Sequence, residues 1–300
     1  MDMLTLLHVS KAFGKNKVLD DLSFSVPEHT IYGFIGENGA GKTTTMKMIL
    51  GLLRQDAGEI QVNGETVHYG QNRTNRLIGY LPDVPEFYGF LTPMEYLSMC
   101  GEMTGMTSKE IRVRGLEMLE LVGLGGEKRR IHGFSRGMKQ RLGIAQALFN
   151  RPQLLICDEP TSALDPAGRK EILEILLSVK DQTTILFSTH ILSDVERVCD
   201  EIALLHHGTL AWNGTLEEVK RMRKGSGFQV EVCKANDLVL IRERFSKGRQ
   251  NGAAEIFYEG KNEKDMAEMM RFCVEQGIYL QRIEMVEPTL ENLFMEVVGR

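Results

Sequence analysis

Residues 36 to 43 read Gly36-Glu37-Asn38-Gly39-Ala40-Gly41-Lys42-Thr43, the spacing G-x-x-x-x-G-K-[ST]. Each residue type there has a chemical use. The glycines let the backbone curl until successive N–H groups point inward at a phosphate. Lys42 carries a full positive charge to the β- and γ-phosphates, and the Thr43 hydroxyl can ligate Mg²⁺. A helix starting near Lys42, with Thr44 in its first turn, would add its positive dipole end. A chance match in a chain this long has odds of about one in a hundred. A second constellation lies at Leu154-Leu155-Ile156-Cys157-Asp158-Glu159-Pro160, an apolar run ending in two carboxylates. Asp158 can hold Mg²⁺ through water. Glu159 is then placed to orient or deprotonate an attacking water. Alone, an Asp-Glu pair after an apolar run is equally often a strand end in solvent.

These residues need elements to position them. Leu4–Val9, Ile31–Ile35, Ile78–Leu81, Leu154–Cys157, Ile185–Phe187 and Ile202–Leu205 read as strands. Several are apolar on both faces, as buried parallel strands must be. Thr44–Leu53 and Gly168–Val179 have helical spacing. The fold class is therefore α/β with a parallel sheet, whose strand ends are the usual place for ligands. Residues 92–150 carry no strand signal. Pro93–Met103, Lys109–Val122 and Ser135–Phe149 read as helices, which makes this stretch a helical insertion.

The chain has 300 residues, with 42% hydrophobic and 26% charged, which fits two globular domains. A charged stretch from Glu217 to Lys224 ends at Gly225-Ser226-Gly227. The reading is a first domain over residues 1–220 and a small α+β domain over 226–300. In the latter, Phe228–Val232, Glu255–Tyr258 and Tyr279–Val286 read as strands. Met266, Met269, Met270 and Cys273 form one helix face, more in keeping with core filler than with a binding surface. A last helix is expected after Pro288, capped by Thr289 and burying Leu290, Leu293, Phe294, Val297 and Val298. The formal charge of −5 argues against a nucleic-acid partner. No apolar run approaches the roughly 20 residues that span a bilayer, and no leader precedes the first strand. The five cysteines form no CxxC pair, which fits buried free thiols.

The order of these pieces resembles the ATP-binding cassette (ABC) ATPases over about residues 1 to 220. Phe134-Ser135-Arg136-Gly137-Met138-Lys139-Gln140-Arg141 is similar to the family's signature, Leu-Ser-Gly-Gly-Gln-x-Gln-Arg. Ser135 would cap the helix that follows and offer a second anion site. Ser162-Ala163-Leu164-Asp165 resembles the D-loop, and Ser188-Thr189-His190 resembles the switch histidine. Phe13 matches the aromatic that stacks on adenine, although an aromatic at a strand end is more often core. The resemblance implies a P-loop NTPase with a RecA-like parallel core, an antiparallel β subdomain and the helical insertion. It implies ATP and Mg²⁺, with Gly36 to Thr44 as Walker A and Asp158–Glu159 as Walker B.

In that family two cassettes pack head to tail. Ser135, Arg136, Gly137 and Met138 would then close the ATP site of a partner subunit. The implied roles are Lys42, Glu159 and His190 in catalysis, Thr43 and Asp158 at the metal, and Asp165 in the D-loop. A separate transmembrane permease is implied, with the chain cytoplasmic and peripheral to the inner face of the membrane. Three departures stand out. Asp83, in Ile78-Gly79-Tyr80-Leu81-Pro82-Asp83, sits where the family has the Q-loop glutamine. It is read as a metal-side residue, against the alternative of a surface acid. Arg136 replaces a signature glycine; it either adds charge beside the γ-phosphate or points to solvent. Met138 replaces the terminal Gln. Arg136 and the tail Glu287-Pro288-Thr289-Leu290-Glu291-Asn292-Leu293-Phe294 are similar to a subgroup serving bacterial antibiotic, bacteriocin and lipid exporters. Phe87, Tyr88, Phe90 and Leu91 fit either a permease contact or packing within the insertion. The alternative function is a soluble ABC ATPase of translation or DNA repair.

Overall fold

The computed structural model describes residues 1–70, 73–162, 164–222, 227–250, 252–286 and Leu290. The chain divides into two compact units, Met1–Leu216 and Glu217–Arg300.

The first unit opens with two long antiparallel strands, β1 (Asp2–Phe13) and β2 (Asn16–Pro27), followed by β3 (Ile31–Gly36) and α1 (Lys42–Ile49). Then come β4 (Ala57–Val62), β5 (Glu65–Thr66) and β6 (Ile78–Leu81). Three helices follow: α2 (Pro93–Met103), α3 (Ser108–Leu121) and α4 (Arg136–Leu148). The unit closes with β7 (Leu154–Asp158), α5 (Pro166–Val179), β8 (Thr184–Thr189), α6 (Leu192–Val198), β9 (Glu201–His206) and β10 (Thr209–Thr215). The helix α7 (Leu216–Met222) spans the division between the units.

One sheet has the order β2-β1-β4-β5 and is antiparallel. The other has the order β10-β9-β3-β8-β7-β6, parallel except for β10. Every residue of β3, β7 and β8 is buried. Their near-continuous apolar composition reflects covering on both faces. The two sheets share one core. Phe24 of β2 stacks on Tyr32 and Phe34 of β3, with centroids 5.5 and 5.4 Å apart. Burying one such side chain is worth about 1.5–3 kcal/mol.

The parallel register aligns the strand ends that matter. Ile35 pairs with Thr189, Asp158 with Ser188, and Leu81 with Cys157. The loops after β3, β6, β7 and β8 therefore leave the sheet at one edge. Those loops carry Asp83, Glu159 and His190, and the one after β3 leads into Lys42 at the start of α1.

The helical insertion starts and stops by local chemistry. Thr92 with Glu95, and Thr107 with Glu110, form capping boxes at α2 and α3. The buried Arg114 of α3 donates to the carbonyls of Leu148 and Phe149, tying α3 to the end of α4. Helix α1 begins at Lys42, as expected, but ends at Ile49, short of the helical spacing that runs to Leu53. The sequence reading missed β2, β4 and β10 as strands. β2 buries alternate positions and carries Asp20 and Asp21, and β10 alternates exposed and half-buried positions, so no continuous apolar run marks them.

The second unit has a sheet of order β12-β13-β11-β14, built from β11 (Gly227–Val232), β12 (Arg249–Gln250), β13 (Glu255–Glu259) and β14 (Leu280–Val286). Helices α8 (Asp237–Arg244) and α9 (Glu263–Glu275) pack on it through Leu238, Ile241, Met269 and Cys273. The methionine face is narrower than expected: Met269 and Cys273 are buried, but Met270 is 44% exposed. The predicted final helix and its Thr289 cap lie outside the described residues, apart from the buried Leu290. All five cysteines are free; Cys157, Cys199 and Cys273 are buried, whereas Cys233 is exposed. Among the described residues, no helix is long and apolar enough to cross a membrane.

The seat of β6 against α4 has no spare room. A Cβ on Gly79 would stand 2.2 Å from the Ala147 carbonyl oxygen and 2.9 Å from Pro152 Cγ. Gly79→Ala should lower the unfolding free energy by about 1–3 kcal/mol. A urea titration of the purified chain measures this, and an unchanged midpoint would show that β6 and α4 can separate freely.

Candidate functional site

The loop after β3 is shaped by two glycines at close approaches. Gly41 has φ +113°, and a Cβ there would meet Leu19 Cδ2 at 2.7 Å. Gly36 passes the Leu205 carbonyl, which a Cβ would meet at 2.7 Å. Only a residue without a side chain passes both places. Gly41 is the N-cap of α1 and supplies no side-chain acceptor, so first-turn amides remain available to an anion.

Lys42 is 6% exposed. Its ammonium donates to the carbonyls of Gly36 at 2.6 Å and Glu37 at 3.2 Å. It also lies 3.2 Å from Glu159 Oε1. Thr43 donates its hydroxyl to Asp158 Oδ2 at 2.9 Å. The other Asp158 oxygen accepts from Ser188 Oγ at 2.7 Å. The Glu159 amide donates to the Ser188 carbonyl at 3.0 Å and to its Oγ at 3.2 Å. His190 Nδ1 is 2.8 Å from Glu159 Oε2. A cavity of about 300 Å³ is bounded by the Walker loop, Asp83, Asp158 and Glu159. Two larger clefts flank Arg114 and Arg151 on the helical insertion and contain none of this chemistry.

These residues fit a nucleoside triphosphate with its metal. A nearly buried ammonium held by neutral carbonyls and one carboxylate is complementary to a polyanion. Thr43 and Asp158 offer hard oxygen atoms. Among the described residues, no group of three or more His, Cys, Asp or Glu could hold an ion by itself. Mg²⁺ is commonly held through one or two carboxylates plus substrate phosphates.

The remaining expected residues lie elsewhere. Ser135 caps α4 by accepting from the Met138 amide at 3.2 Å, as the sequence predicts. Ser135 and Arg136 are exposed, and Gly137 and Met138 are partly so; none of the four bounds the cavity. The space beside Gly137 is open, with Leu164 Cδ2 nearest at 3.9 Å from a built Cβ. Asp165 caps α5, accepting from the Gly168 amide at 3.0 Å. Ala163 of the D-loop lies outside the described residues. Phe13 is 51% exposed, outside the core, with the Lys11 ammonium 5.4 Å from its ring centroid. Sequence reasoning gave Ser188 no role; its signal is a hydroxyl two residues before His190, on the strand beside Asp158.

A family model described as ABC transporter matches residues 19–162. A second, described as the ATP-binding protein DrrA1-3-like C-terminal domain, matches residues 214–298. The chain is 38% identical to the bacitracin transport ATP-binding protein BcrA of Bacillus licheniformis, across 97% of this chain and 95% of that protein. The chain belongs to the ABC transporter ATP-binding proteins. It is also 34% identical to the linearmycin resistance ATP-binding protein LnrL of Bacillus subtilis, across 99% of each. A solved ATP-binding subunit of an ABC transporter matches at TM-score 0.66 and 35% identity, over 73% of this chain and 92% of that one. The cassette is thus an ATPase with the P-loop fold, and members of this family dimerise and partner with membrane permeases. These relatives do not support the translation or repair alternative.

Ser188 bridges both carboxylate residues, so its loss should register in turnover. Ser188→Ala removes a buried bond to a charged group and should cut ATPase kcat by about ten- to a hundredfold. Steady-state phosphate release measures this. An unaffected kcat would mean that Asp158 and Glu159 hold their places without it.

Proposed function

We propose that this ATPase drives export of an antibiotic-like or lipid-like cargo through a separate permease, working as a pair of cassettes. The observation that carries the reading is the convergence of Lys42, the Thr43–Asp158 pair and the Glu159–His190 pair on one cavity. Lys42 and the loop amides hold the phosphates. Glu159 prepares the water, and His190 fixes the free end of that carboxylate and meets the γ-phosphate. Mg²⁺ bound by Thr43 and Asp158 would neutralise charge developing on the phosphates. Positioning and electrostatics supply most of the rate in such chemistry. Phe13 stacks on the adenine, its exposed face being free to do so. The cargo class rests on the bacitracin and linearmycin relatives and on the match over residues 214–298.

The pairing has a physical motive. The N-terminus of α4, capped by Ser135, is a second anion site outside the first cavity. One triphosphate can satisfy both sites only when the signature comes from another cassette. Arg136, exposed at that helix start, then lends its charge to the partner's γ-phosphate. Asp165 belongs to the same face through the cap of α5. The permease would hold the pair at the inner face of the cell membrane.

The aromatic segment after Asp83 splits in two. Phe87 packs edge-on against Tyr96 at 5.0 Å, so it serves the insertion. Tyr88 and Phe90 are 57% and 65% exposed and touch each other at 5.9 Å, beside the 60% exposed Val84. Such a patch supports permease docking.

Two measurements test the reading. Glu159→Gln should lower turnover by about a hundredfold or more while ATP now holds a dimer, seen by light scattering after size exclusion. A variant that stays monomeric with ATP would count against the paired site. With the permease in vesicles, Phe90→Asp should abolish transport and leave basal ATPase within about twofold. Undiminished transport would remove the patch from the interface.

A further inference from the structure

The β6–β7 register sets Leu81 beside Cys157. Two residues further along each strand come Asp83 and Glu159, which bound the same cavity. The Asp83 carboxylate already has a partner there: the Ser162 hydroxyl donates to its Oδ1 at 2.5 Å. Its backbone carbonyl accepts from Gln140 Nε2 at 2.7 Å, and Gln140, on the signature helix α4, is 1% exposed. Asp83 is thus anchored by a buried amide on one side and grips the D-loop on the other.

What Ser162 does explains why the grip matters. Its amide donates to the Glu159 carbonyl at 3.0 Å and closes the turn that carries that residue. Glu159 has φ +49°, in the left-handed region. A residue with a Cβ is strained there, so its surroundings must fix it from both sides. Ser188 fixes the amide of Glu159, and Ser162 fixes its carbonyl. Asp83 in turn fixes Ser162.

We propose that Asp83 is a positioning residue for Glu159, acting through Ser162, and that it is not a metal ligand. The inference rests on Glu159 preparing the water. The two roles for Asp83 make different chemical demands. A metal ligand in this place needs the negative charge. A partner for the Ser162 hydroxyl needs only an acceptor oxygen, which asparagine retains.

The test is a series of Asp83→Asn, Asp83→Ala, Ser162→Ala and the Asp83→Ala/Ser162→Ala double variant, with Glu159→Gln as reference. ATPase is measured against ATP and against Mg²⁺, and amide hydrogen exchange is followed over residues 159–162. Asp83→Asn should keep kcat and half-saturating Mg²⁺ within about twofold of the unaltered chain. Asp83→Ala and Ser162→Ala should each lower kcat about five- to tenfold, with the KM for ATP unchanged. The double variant should be no worse than either single one, and exchange over 159–162 should quicken in all three alanine variants. A tenfold rise in the Mg²⁺ requirement of Asp83→Asn would overturn the proposal in favour of metal binding. Losses that multiply in the double variant would overturn it too, since the two residues would then act separately. Retained turnover in Glu159→Gln would instead strike the premise about the water, and that outcome is read on its own.

Discussion

The Lys42 ammonium is nearly buried and 3.2 Å from the Glu159 carboxylate. Removing a charge from water costs several kcal/mol even in a relaxed protein interior, and a single carboxylate repays it only with good geometry and further hydrogen bonds. Those further bonds come from the carbonyls of Gly36 and Glu37. They are available only because the loop curls around the lysine, and it curls because Gly36 and Gly41 pass Leu205 and Leu19 without a side chain. The site's electrostatics and the β3–α1 connection are therefore one constraint. A larger residue at either glycine would displace the cation as well as the chain.

The same constraint reaches across the sheet. Glu159 can face Lys42 because β7 lies one strand beyond β8, with Asp158 level with Ser188 and Ile35 level with Thr189. A slip of one residue in either pairing would turn Asp158 and Ser188 to the opposite face. Burial of every residue in β3, β7 and β8 on both faces does not by itself prevent that slip. Polar residues confined to the strand ends do, because moving Asp158 or Ser188 inward would bury them without partners.

How far the sequence discloses this arrangement depends on the range of each interaction. The Walker loop, the Asp158–Glu159 pair and the Ser135 cap are local patterns, and each stands where its spacing places it. So do the helices of the insertion, each within one residue of its expected bounds. β2 is obscured because Asp20 and Asp21 interrupt the apolar signal that a strand with one wet side carries only at alternate residues. Ser188 and the Asp83–Ser162 contact are obscured for a different reason. Their meaning depends on strand order, which places residues 79 positions apart within hydrogen-bonding distance. The split between Phe87 and its neighbours Tyr88 and Phe90 is of the same kind, since only the position of Tyr96 decides which ring turns inward.

Strand order also explains why the loop after β6 can influence chemistry it does not perform. The segment from Asp83 to Leu91 leaves the sheet beside Glu159 and ends at the cap of α2, with Tyr88 and Phe90 exposed between. A body pressing on those rings pushes on a short piece of chain. One end of that chain is tied to the buried Gln140 and to Ser162. The other is tied at Gly89 and Leu91 to Ile131 and His132, just before the signature. Neither end can yield without moving the turn of Glu159 or the start of α4. The loop is short enough, and anchored closely enough at both ends, for displacement at its tip to be felt at the Glu159 carboxylate and at the Ser135 corner together.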